Sequence, residues 1–181
     1  AYLKANYPTE FMAAVLSSEL GNADKLAFFL KECREMGIVV KPPDINTSDQ
    51  RFSVDGDSIC FGMAAIKGVG HAAAEAIMEA RGDNPFTDLL EFCERVGATL
   101  NRRVLESLCK SGAFDCFGHR RSQVFEMLDE AMSVAAQTAA DRRVGQGSLF
   151  EMCDAQYDPL ALIPPDVPEW NRRALLGYEK E

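Results

Sequence analysis

The stretch Ile66-Lys67-Gly68-Val69-Gly70-His71-Ala72-Ala73-Ala74-Glu75-Ala76-Ile77 decides how this chain is read. Two glycines flank one aliphatic residue, an alanine follows four positions after the second glycine, and an isoleucine three after that. Glycine tolerates φ > 0, so Gly68 and Gly70 can close a tight connection that other residues resist. A helix starting near Gly70 has free N–H groups in its first turn. Those donors, aided by the helix dipole, suit an anionic oxygen. Lys67 adds a cation beside them. Val69 can point back and hold the bend down, Ala74 lets two helices approach closely, and Ile77 is the next core contact on the same face. A dinucleotide fingerprint needs a third glycine after a strand, and Ala73 stands where it would be.

The whole pattern, with apolar residues at Ile66, Val69, Ala74 and Ile77, has the spacing of a helix-hairpin-helix. That motif grips nucleic-acid backbone without reading sequence. The alternative is a plain helix–turn–helix connection with no ligand. Val96-Gly97-Ala98-Thr99-Leu100-Asn101 resembles a second, degenerate hairpin: one glycine is missing, and Asn101 offers a side-chain cap. Two helix pairs in tandem make one compact unit from about residue 60 to 118.

Working outward, Pro8 suits the first turn of a helix through Phe11, Met12, Val15 and Leu16. Asn22 reads as the N-cap of a helix with Leu26, Phe29, Leu30, Cys33 and Met36 on one side, and Gly37 stops it. Ile38-Val39-Val40 is a short strand ended by Pro42-Pro43. Phe52-Ser53-Val54 and Ile59-Cys60-Phe61 flank Asp55-Gly56-Asp57-Ser58, a hairpin signal with a slightly long turn. Helices are expected from Phe86 to Val96, from the Asn101 cap to Gly112, and from about Arg120 to Ala140. Four prolines and five acidic residues within 151–169 read as a linker, and Trp170 onward starts another helix. The expected fold is mainly α: a helical bundle with tandem helix-hairpin-helix motifs, a small β-hairpin and a flexible C-terminal segment. Its divisions are 1–59, 60–140 and 141–181.

The chain has 181 residues, 47% of them hydrophobic, enough for a real core. No window is long and apolar enough to span a membrane, and the first residues lack the apolar run of a secretory signal. There is no initiator Met, so the chain is expected to start inside a longer protein and to end equally arbitrarily. Its six cysteines form no Cys-x-x-Cys pair and sit mostly at apolar helical positions. Cys109, Cys116 and His119 match no common zinc spacing, so buried reduced thiols are the better reading. The net charge of −9 argues against a general nucleic-acid binder. Its distribution is uneven: six positive and nine negative residues in 1–59, eight and eight in 60–124, five and eleven in 125–181. The least acidic third holds the glycine bend, so any DNA contact is local and weak alone.

A second short peptide stands out. Gln146-Gly147-Ser148-Leu149-Phe150 ends a polar, glycine-containing stretch in two adjacent apolar residues. Exposing both wastes roughly 1.5–3 kcal/mol each, and a partner's pocket recovers that. The peptide looks like the bacterial sliding-clamp-binding pentapeptide, with glutamine first, leucine fourth and phenylalanine fifth; Gly147 departs from the leucine often found second. The alternative is that Leu149 and Phe150 fold back onto this chain's own surface.

Taken with Ala1-Tyr2-Leu3-Lys4-Ala5-Asn6-Tyr7-Pro8-Thr9-Glu10-Phe11-Met12, Pro42-Pro43-Asp44-Ile45-Asn46, Phe61-Gly62-Met63-Ala64-Ala65-Ile66-Lys67-Gly68, Asn101-Arg102-Arg103-Val104-Leu105-Glu106-Ser107-Leu108 and Ser111-Gly112-Ala113-Phe114-Asp115, these features resemble the alpha subunits of bacterial DNA polymerase III, the C-family replicative polymerases. The resemblance covers roughly residues 1–150 and continues only loosely through Trp170 and Gly177-Tyr178. It implies that 1 to about 60 closes the fingers region, that 60–118 lies over duplex DNA backbone, and that 146–150 ties the polymerase to the sliding clamp (its beta subunit). Other polymerase III holoenzyme subunits are implied as partners, the bacterial cytoplasm as the location, and no membrane. The family polymerises DNA with palm aspartates and metal ions, expected to be magnesium. Those aspartates lie upstream in the family and are absent here, so no catalysis and no cofactor is expected of this stretch. Candidate DNA contacts rank as Lys67 with Gly68, Val69 and Gly70, then Arg102 and Arg103, then Arg120 and Arg121. Arginines at a helix start oppose its dipole by up to about 1 kcal/mol, which a phosphate offsets; solvated surface arginines are the equal alternative. His71 reads as a surface or capping residue. A free-standing hairpin module of a repair nuclease or ligase is the competing function.

Overall fold

A computed structural model describes residues 2–144 and 162–178, apart from the side chains of Ala98 and 142–144. Pro8 opens α2 (Pro8–Ser18) after the short α1 (Tyr2–Asn6). Asn22 caps α3 (Ala23–Glu35) by accepting from the Lys25 amide at 3.1 Å, and Gly37 ends it at φ +75°. Met12, Leu16 and Cys33 are fully buried between α2, α3 and the sheet.

The sheet has order β1-β3-β2, from β1 (Val39–Lys41), β2 (Ser53–Asp55) and β3 (Ser58–Cys60). β2 and β3 pair antiparallel with Asp55 opposite Ser58, so the turn is Gly56-Asp57, shorter than the four residues expected. Gly56 has φ +59° while Asp57 stays at negative φ, the pattern of a type II′ turn that suits right-twisted strands. β1 joins β3 in parallel, Val40 opposite Ile59, a pairing across a long connection that no local signal announces.

The second half is helical. The helix expected before the glycine bend is a single 3-10 turn, Met63–Ala65. After it come α4 (His71–Arg81), α5 (Leu89–Val96), α6 (Arg102–Ser111), the long α7 (Arg121–Val144) and α8 (Arg172–Tyr178). α5 starts at Leu89, three residues later than Phe86, because Asp88 caps it. Its carboxylate accepts from the Glu91 amide at 2.8 Å, while Glu91 accepts from the Thr87 amide and hydroxyl. Val124, Met127, Leu128, Ala131 and Ala135 make the buried stripe of α7 against α5 and α6. Phe92 sits at the centre, edge-to-face with Phe86 at 4.9 Å and Phe114 at 5.1 Å. Cys33, Cys60, Cys93 and Cys109 are buried free thiols; Cys116 is at the surface.

The sequence reads 151–169 as a linker. The described end of it, from 162 onward, runs back along the first turns of α7. Leu162 and Trp170 pack on the helical core, and the Glu169 carboxylate accepts from the Arg121 and Ser122 amides at 2.9 and 3.1 Å. Proline backbone, stiff and poor in donors, is compatible with such a docked run as well as with a free one.

Candidate nucleic-acid interface

The bend at 66–70 follows from two local rules. The Ile66 amide donates to the Met63 carbonyl at 3.1 Å and the Val69 amide to the Ile66 carbonyl at 2.9 Å, which winds the chain tightly. Gly68 then takes φ +88°, a region that L side chains rarely enter. Gly70 does not: its φ is −79° and ψ 168°, extended backbone open to any residue. Only the first glycine is conformationally required. What distinguishes Gly70 is space, for nothing lies within 4 Å of where a Cβ would be.

Val69, Ala74 and Ile77 are buried in the helical core, as their spacing predicts. Gly70 is the N-cap of α4 and has no side chain to accept from the first-turn amides. The first amide with a partner is that of Ala74, to the Gly70 carbonyl. The start of α4 therefore presents unsatisfied donors and a positive dipole end at an exposed bend, with Lys67 exposed beside it.

The second hairpin differs. Gly97 takes φ +64° and the chain passes through a 3-10 turn, Gly97–Thr99, into the Asn101 cap of α6. The Asn101 side chain accepts from the Val104 amide at 3.0 Å, so one donor is already used. The hairpins touch directly: a Cβ on Gly68 would meet the Ser107 hydroxyl at 2.8 Å. Ser107 lies one turn along α6 from Arg103, whose carbonyl accepts its hydroxyl at 3.1 Å.

The candidate arginines separate into two groups. Arg102 pairs with Glu106 at 3.2 Å and Asp129 at 2.9 Å. Arg120 donates to the Val167 carbonyl at 2.9 Å. Arg121 forks onto Asp115 at 2.8 and 3.0 Å and is largely buried. All three hold the fold together. Arg103 is exposed and, like Lys67, its side chain has no hydrogen bond or ion pair among the described residues. The clamp-type peptide Gln146-Gly147-Ser148-Leu149-Phe150 lies outside the described residues.

Residues 37–124 match the family described as "Helix-hairpin-helix motif". Over 99% of its length the chain is 48% identical to the DNA polymerase III subunit alpha of Neisseria meningitidis serogroup A, and covers 16% of that protein. It is similarly 41% identical, over its full length, to subunit alpha of Campylobacter jejuni and 40% identical to that of Saccharopolyspora erythraea, again 16% of each. The chain belongs to the DNA polymerase III alpha family. It spans about 16% of the length of the curated relatives it matches.

Within this alpha-family segment, two arginines that the sequence reading passed over organise the hairpins. Arg95 donates to the carbonyls of Ala80, Arg81 and Asn84 at 2.6–2.8 Å, closing the end of α4, and lies 4.5 Å over the Phe86 ring. Arg81 donates to the Ile45 and Ser48 carbonyls at 3.0 and 2.8 Å, fastening 45–48 to α4. Their only sequence signal is a basic residue in the last turn of a helix, where cations suit orphan carbonyls. Among the described residues no group of three or more His, Cys, Asp or Glu side chains could hold a metal ion, and no helix is long and apolar enough to cross a membrane.

Proposed function

We propose that this segment holds the backbone of duplex DNA for a replicative polymerase, and that its 146–150 peptide ties that polymerase to the sliding clamp. The observation that carries the DNA reading is the uncapped start of α4, exposed beside Lys67 and adjacent through Ser107 to Arg103. Backbone amides and two free cations recognise phosphate and carry no base readout. Nucleotide addition falls to carboxylates and magnesium ions elsewhere in the parent subunit, so this segment alone adds no nucleotide. Its setting is the bacterial cytoplasm, among the other holoenzyme subunits.

Fluorescence anisotropy with a labelled duplex tests the first half. Lys67→Glu and Arg103→Glu are each expected to abolish measurable binding, whereas Arg120→Gln leaves it nearly unchanged. Binding indifferent to both charge reversals removes the hairpin from the contact. The clamp half is supported by the residue pattern of the peptide. Replacing Leu149 and Phe150 together with alanine is expected to end capture on immobilised clamp, and undiminished capture by that variant would overturn the tether.

A further inference from the structure

A groove of about 870 Å³ lies between the two cores. One wall is β1, another the end of α3, a third the stretch at Ile66 and Lys67, and α8 closes the far side. Three features set it apart. First, β1 stands at the edge of the sheet and, among the described residues, pairs only with β3, so its other edge presents N–H and C=O groups without strand partners to the groove. Second, the lining is mostly apolar and wet: Val39 is 60% and Leu176 47% exposed, unusual for a valine and a leucine flanking one concavity. Third, the charged residues lining it are Arg34, Lys41 and Lys67, with no carboxylate among them, in a chain of net charge −9. Lys41 is answered by Asp55. Arg34 and Lys67 are exposed, and neither side chain has an ion pair among the described residues.

These features select among occupants. A nucleic-acid backbone brings phosphate oxygens, which only accept. It would satisfy the cations yet leave the strand's carbonyls unmatched and its sugars against aliphatic walls. An extended peptide brings alternating donors and acceptors at the strand's own spacing, and side chains on alternate faces. We propose that this groove docks an extended acidic peptide of a partner protein, which adds to the free edge of β1, seats apolar side chains against Val39 and Leu176, and sets a carboxylate against Arg34. β1 is three residues long, so main-chain pairing supplies register while the groove and its charges supply selectivity. The peptide's chemistry follows: alternating apolar and acidic residues, without proline at the paired positions.

The test uses the 181-residue chain and a fluorescein-labelled peptide of alternating valine and glutamate, with a valine–lysine peptide and oligo(dT) as separate arms. The valine–glutamate peptide is expected to raise anisotropy, more so at low salt, and to slow amide exchange at Val39, Val40 or Lys41. Arg34→Glu and Val39→Asp, both at exposed positions, are each expected to weaken binding by about tenfold with circular dichroism unchanged. Neither residue belongs to the hairpins, so failure here leaves the duplex reading untouched, and the reverse holds. Equal binding of the lysine peptide, or protection confined to other amides, would overturn the proposal. So would oligo(dT) protecting these amides, since the groove would then belong to nucleic acid. Protection that rises with protein concentration alone would assign it to a second copy, and protection already present in the intact alpha subunit would assign it to the rest of the parent chain; either result overturns a partner peptide.

Discussion

At Gly62 a Cβ would stand 2.6 Å from the Arg51 carbonyl carbon and 2.7 Å from the Phe52 amide nitrogen. Backbone meets backbone there, so neither side can rotate away. The residue has φ −77°, an ordinary value, and the requirement is one of room rather than conformation. Gly62→Ala is therefore expected to cost about 1–3 kcal/mol, read as a lower urea midpoint at unchanged slope, whereas Gly70→Ala, with open space around it, should lose no more than the roughly 1 kcal/mol of a poorer N-cap. The thiols give a second expectation. Burial pushes Cys93 and Cys109 up to about 12, so neither forms the reactive thiolate at neutral pH. Iodoacetamide at pH 7.5 should leave both unmodified in the native protein and label them after denaturation. The close approach at Gly62 is invisible in sequence, because it depends on a chain segment ten residues away whose path is set by the β2–β3 turn. The conformational need at Gly68 was legible, because it arises within the bend.

At the scale of elements, one carboxylate helps to fasten the 162–171 run to the start of α7. Burial alone would raise Glu169, but the amides of Trp170, Ser122 and Arg121 donate to it and hold it below the usual carboxylate range. A group lowered in the folded state contributes stability above its ordinary pKa and loses it as pH falls through the lowered native value. Trp170 is the single tryptophan, packed edge-to-face on Phe125 at 5.5 Å and on Tyr178 at 4.9 Å. Its emission should shift to the red as pH falls through and below the ordinary glutamate range. In Glu169→Gln the emission should start red-shifted at neutral pH and show no such acid step; the same acid step in that variant would assign it to another group. The loss of a charged cap should cost about 1 kcal/mol. Elements with local causes were legible: the Asn22 and Asn101 caps and the Gly37 stop. The start of α5 was missed although its cause is local: Phe86 fits the apolar period, but the Asp88–Glu91 capping pair moves the boundary inward.

For the whole molecule, the arrangement of charge matters more than its sum. Residues 60–124 carry eight cations. Arg81, Arg95, Arg102, Arg120 and Arg121 serve carbonyls and carboxylates of the chain itself, and Lys110 lies over the rings of Phe125 and Tyr178. Lys67 and Arg103 remain for an external anion. Two phosphate contacts predict a slope of about −2 for log affinity against log salt. A slope steeper than about −5 would mean that the internal arginines are released on binding. The tandem hairpins, the mainly helical fold and the candidate bend were readable from residue order, because glycines, caps and apolar periodicity act over a few neighbours and every copy of such a segment obeys them. Which arginines are free, where the 162–171 run lies, and that β1 pairs with β3 to leave an open edge were decided only when distant segments met. Those outcomes depend on which carboxylate, carbonyl or strand arrives opposite, and no stretch of a few residues contains its own partner.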